Sequence, residues 1–123
     1  MRYTAKAIST ATSLAALLGA LSFTMPTVSN ADASAIAEGK KIAFNRKKGN
    51  CLACHQIEGG SLPGNIGPPL LAMKARFPDK SKLRAQIADP RTMNPNTIMP
   101  PFGAHEIMSS SEIDKVVEFI HSL

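Results

Sequence analysis

With 123 residues, 14 Lys and Arg against 9 Asp and Glu, and a net charge of +5, the chain holds at most one small, basic domain. It has no Trp, and its single Tyr lies at position 3, so stacking on nucleic-acid bases has no support despite the basic balance. The two cysteines, Cys51 and Cys54, are its whole supply of thiols.

The first element in chain order is a leader. Arg2 and Lys6 form a basic start, Leu14 to Leu21 is a short apolar run, Pro26 breaks it, and Ser29-Asn30-Ala31 supplies small residues. The pattern predicts a secretory signal peptide over 1–31, cut after Ala31, with Ala33 as the alternative position. Thr10, Thr12, Ser13 and Ser22 dilute the segment, which argues against a membrane anchor. The expected mature domain is 32–123, with no membrane span after cleavage. Without Arg2 and Lys6 the basic residues fall to 12 against 9 acidic ones, a net charge of +3.

A helix is predicted from Ala33 to about Arg46, with Ile36, Gly39, Ala43 and Phe44 at helical spacing and Glu38, Lys40 and Lys41 on the wet side. Glycine within a helix costs about 1 kcal/mol relative to Ala, so Gly39 implies a close crossing with another helix. Gly49 ends the element. Arg46, Lys47 and Lys48 form a local excess of positive charge, suited either to steering an acidic partner or to a solvated helix end.

Cys51-Leu52-Ala53-Cys54-His55 follows. C-x-x-C-H is the attachment pattern of a c-type haem: each thiol adds to one vinyl group, and the next residue places an imidazole under the iron. A redox dithiol would need a βαβ setting and a zinc site four ligands, and neither accompanies the motif here. With both thiols used for haem, the domain has no disulfide. About ninety residues bury only about two-thirds of their surface, so the haem-free chain is expected to be largely unfolded.

Residues 59–69 are a Gly-, Pro- and Asn-rich loop, in which the Pro68 carbonyl is the expected acceptor for the second N–H of His55. A short helix is predicted over Leu70 to Arg76. A second, capped by Asp79, runs to about Ala88 with Leu83 and Ile87 inward, until Pro90 stops it. Asn94 to His105 is irregular, with Pro95, Pro100 and Pro101. The last helix is announced by Ser109 with Glu112 as a capping box and Met108 with Ile113 as a staple. Ile113, Val116, Val117 and Ile120 form its buried stripe, and His121 is expected on the exposed side.

Several residues could close the second face of the iron. Met73 and Met108 fit core positions better, while Met93 lies in a polar segment. Met99 sits beside two prolines that stiffen its loop, with Phe102 placed to pack beside the porphyrin. Met99 is therefore the first candidate and His105 the alternative. His/Met ligation raises the reduction potential and closes the iron to small molecules, which favours electron transfer.

This order of features resembles the class I cytochrome c family. The resemblance implies an all-α fold: one small domain around one covalent haem c, its N- and C-terminal helices crossing near Gly39. The longer strings resemble a narrower family, SoxX, the small monohaem subunits of a sulfur-oxidation complex. Those strings are Cys51 to Gly60, Leu62 to Leu70, and Asn94 to Gly103. That resemblance implies a heterodimer with a SoxA-type cytochrome in the periplasm. The pair oxidatively joins thiosulfate to a cysteine of the carrier SoxYZ and passes electrons to a downstream acceptor. The catalytic thiol belongs to the partner, so this chain is expected to carry none. A free-standing periplasmic electron shuttle is the alternative, and a haem enzyme or gas sensor would require an open iron position.

Overall fold

The computed structural model describes residues 30–123, so the leader reading lies outside the described residues, apart from the Asn30-Ala31 end of its 1–31 span. Four α-helices and two short 3₁₀ turns follow one another: α1 (Asn30–Phe44), a turn at Cys51–Ala53, α2 (Met73–Arg76), α3 (Lys80–Ala88), a turn at Pro90–Thr92, and α4 (Ser110–His121). No strand occurs among the described residues, and none of their helices is long and apolar enough to cross a membrane.

Helices α1 and α4 cross at Gly39. A Cβ added there would overlap the Lys115 carbonyl and lie 3.0 Å from Phe119 Cβ, so only hydrogen fits between the two backbones. Phe44 and Phe119 meet edge to face beside the crossing, with centroids 5.8 Å apart. Glu38 pairs with Lys115 across the same contact, and Lys48 reaches Glu112 at 2.9 Å. Such exposed pairs add little energy and serve mainly to fix register.

Helix α4 starts as its sequence requires. Glu112 N–H donates to Ser109 Oγ at 3.3 Å, and Ser109 N–H donates to Glu112 Oε2 at 2.9 Å, which completes the capping box. Ile113, Val116, Val117 and Ile120 are all buried. His121 departs from expectation: it is 7 % exposed and donates from Nε2 to the Phe77 carbonyl at 3.1 Å. The chain leaving α2 packs over the end of α4, so the buried arc there is wider than one apolar stripe.

Helix α3 is capped as expected, with Asp79 Oδ1 accepting from Ser81 N–H at 2.8 Å. Arg84 ties it to Asp114 and Ser110 of α4, and Lys80 to Glu118. Helix α2 is shorter than its sequence suggests. Leu70 N–H is held by the Gln56 carbonyl at 2.9 Å, and Ala72 adopts a left-handed φ of 50°, so the helix begins only at Met73. Helix α1 ends at Phe44 because Gly49 N–H returns to the Ile42 carbonyl, which places Arg46, Lys47 and Lys48 in a turn.

Candidate functional site

The helices and the two long loops enclose a cavity of about 620 Å³, within the range of about 300–1,000 Å³ that holds small ligands and cofactors. Its apolar wall is supplied by α2 and α3 through Met73, Leu83 and Ile87, by α4 through Val116 and Ile120, and by Phe102 of the second loop. Every charged side chain on its lining is cationic: Arg46, Lys47, Lys48 and Arg76. Cys51, Cys54, His55 and Met99 all line it.

The motif is shaped by its own backbone. Asn50 takes a left-handed φ of 48°, a conformation that Asn tolerates better than most residues, and the chain then coils through a 3₁₀ turn. Cys54 and His55 both donate their N–H groups to the Cys51 carbonyl, at 3.2 and 2.9 Å. Both cysteines are half-buried and unpaired. Burial pushes the Cys51 thiol up to about 11, so it stays protonated at neutral pH.

The loop over residues 59–69 is sewn to this turn by its backbone. Gly64 N–H meets the Leu52 carbonyl, and Gly67 N–H meets the Cys54 carbonyl, each at 2.8 Å. These bonds bring the Pro68 carbonyl to 2.7 Å from His55 Nδ1. A carbonyl only accepts, so Nδ1 carries a proton, and in the neutral ring that leaves Nε2 as the nitrogen with a lone pair to offer. A Cβ at Gly67 would lie 2.6 Å from Nδ1 and 2.9 Å from Nε2, so glycine is what lets the loop pass against the ring.

Met99 arrives from the second loop. Its N–H donates to Thr97 Oγ1 at 3.1 Å, and Pro100 and Pro101 follow. Gly103 N–H and the Ala88 carbonyl, 2.9 Å apart, pin the loop to the end of α3. Of the other ligand candidates, Met73 and Met108 are buried in the core cluster though both touch the cavity. Met93 is half-exposed, and neither it nor His105 lines the cavity. Two features of the site carried no sequence signal. Gln86 Nε2 donates to Met99 Sδ at 3.6 Å, and Arg76 Nη1 donates to the Pro69 carbonyl at 2.9 Å. Both depend on where loops 59–69 and 94–105 return, which local spacing does not specify.

The arrangement fits a c-type haem. Two thiols and a bare imidazole nitrogen stand on one side of an apolar cavity, a thioether sulfur lines it from another loop, and the charged rim suits anionic propionates.

Residues 36–123 match the cytochrome c family, and the chain belongs to that family, whose members carry covalent haem c. Its all-helical fold is that of a class I c-type cytochrome. Among solved structures it is similar to a chain of SoxXA from P. pantotrophus, with 28 % identity and a TM-score of 0.63. That match covers 70 % of this chain and 79 % of the other. It is also 34 % identical over 76 residues to a protein of Aquifex aeolicus (strain VF5) known as an uncharacterized lipoprotein. The match covers 61 % of this chain and spans only 37 % of that relative's length.

Proposed function

We propose that this chain is the monohaem electron-transfer subunit of a SoxXA-type complex acting in the periplasm. Cys51 and Cys54 would hold the haem through thioethers, and His55 Nε2 and Met99 Sδ would be the two groups offered to its iron. The observation that carries the reading is the convergence of these four side chains on one apolar cavity, with His55 already held in its ligating tautomer by Pro68. The likeness to SoxXA supports the choice among carriers.

The bound haem supplies reversible one-electron storage on iron. Everything else falls to the chain. The Pro68 carbonyl fixes the imidazole and strengthens it as a donor. Leu83, Ile87, Val116 and Ile120 exclude water from the pocket. Met99 would occupy the position at which a small molecule could otherwise bind. Joining thiosulfate to a carrier thiol forms one S–S bond and releases one proton and two electrons. No thiol remains here for that bond, so the chemistry belongs to a SoxA-type partner acting on a SoxYZ-type carrier. The electrons leave singly through this subunit to a downstream acceptor.

Native co-purification from thiosulfate-grown cells, followed by haem counting, tests the assignment. A stable heterodimer with a second c-type cytochrome is expected. A monomer with no partner at micromolar concentration would instead identify a free-standing periplasmic shuttle. Thiosulfate conjugation by the isolated haem-loaded chain would contradict the division of labour.

A further inference from the structure

Helix α3 turns Leu83, Gln86 and Ile87 toward the cavity. The two aliphatic residues are buried there, but Gln86 brings an amide to an apolar wall. The amide is part-buried, and the group it meets is sulfur: Nε2 lies 3.6 Å from Met99 Sδ. A thioether accepts and never donates, so the amide must present its NH₂ and not its carbonyl.

A thioether sulfur has two lone pairs, and only one can face a metal. The Met99 backbone is held by Thr97 and followed by prolines, but its side chain is unbranched and flexible. Backbone anchoring alone therefore leaves open which lone pair points inward. An N–H donor on one of them decides it. The same donor draws electron density from the sulfur, and an electron-poor ligand stabilises ferric iron less than ferrous.

We propose that Gln86 is the positioning residue for Met99: its amide N–H occupies one sulfur lone pair, presents the other to the iron and biases the centre toward its reduced state. The proposal rests on Met99 being the axial ligand.

The test uses the haem-loaded chain with Gln86→Leu and Gln86→Asn. Leucine removes the donor, while asparagine keeps an amide in the pocket but is one methylene too short to reach. Both variants are expected to retain the methionine-to-iron charge-transfer band. In both, the ferric-to-ferrous ratio at a fixed ambient potential should rise about two- to tenfold, the range one hydrogen bond supplies. Their hyperfine-shifted NMR signals should change from one sulfur configuration to two sets or an average. Unchanged potential and spectra in both variants, with the band intact, would overturn the role of Gln86 and leave Met99 in place. A fall in that ratio for Gln86→Leu alone would overturn it too, because that is the response of a drier pocket. Absence of the band from the unmodified protein, or its survival in Met99→Ala, would overturn the ligand reading itself.

Discussion

Helices α1 and α4 meet each other, whereas the segments around Cys51–Pro69 and Asn94–Ile107 meet a cavity. The first contact is protein on protein: Gly39 lies against the Lys115 backbone, and Phe44 against Phe119. The second region has no regular element longer than one turn, and its side chains face about 620 Å³ of space. One half of the molecule thus supplies its own packing partner. The other is organised around a body that the polypeptide does not provide, and its backbone bonds serve to hold Cys51, Cys54, His55 and Met99 at the edge of that body.

The largest expected effect tests this contrast directly. In a Cys51→Ser/Cys54→Ser chain without haem, the cavity edged by Leu83, Ile87, Val116 and Ile120 would lose the apolar body that packs against its wall, and a domain of this size has little reserve with which to absorb the loss. Cooperative thermal unfolding should disappear and amide NMR dispersion collapse. Well-dispersed spectra from that variant would show that the helical crossing is self-sufficient and would remove the asymmetry between the two regions.

Met99→Ala sharpens it from the loop side. The methionine-to-iron charge-transfer band should be lost and the reduced protein should bind carbon monoxide, while helical circular dichroism stays unchanged because α1 and α4 are untouched. Met93→Ala should do neither, since that side chain is half-exposed and away from the cavity. The reverse pattern would move the ligand to Met93.

Gly39→Val probes the opposite half. Its side chain would have to enter the Lys115 carbonyl, which as backbone cannot swing aside. A loss of about 3 kcal/mol is expected from forced overpacking. It should appear as a lower denaturant midpoint in the haem-loaded protein, with its absorption spectrum intact. A change in the iron spectrum would show that the crossing and the loops are not separable.

The same division decides what could be seen in the sequence. Ser109, Glu112, Asp79 and the Ile113–Ile120 stripe act over three or four residues, so spacing alone places α3 and α4. Gly39 was legible because a glycine inside a helical pattern demands a reason, and Cys51 to His55 because the attachment chemistry fixes the spacing. His121 was not, since its burial comes from Phe77, forty-four positions away. The early start expected for α2 failed for a related cause: Leu70 N–H is tied back to the Gln56 carbonyl, and Ala72 then takes a left-handed φ of 50° that interrupts any helix begun before Met73. Gln86 stayed hidden because a half-buried amide on a helix has no meaning until the sulfur it faces is known.

The smallest effect concerns the seam between the two regions, where Lys48, in the turn just ahead of the haem motif, reaches Glu112 at the start of α4. The Ser109 N–H and then Lys48 hold the Glu112 carboxyl below the usual carboxylate range. A carboxylate depressed on folding stabilises the protein above its unfolded value, about 4.3, and loses that contribution as pH falls through the lower folded value. Glu38, Asp79 and Asp89 are shifted the same way, so acid lability by itself would not single out this group. Comparing Glu112→Gln with the unmodified chain isolates it. The two melting curves should differ at neutral pH and converge as the pH drops below about 4.3. A gap that stays constant down to the acid limit would mean that Glu112 acts as a neutral cap, and that its ion pair with Lys48 contributes nothing to joining the helical half to the loops.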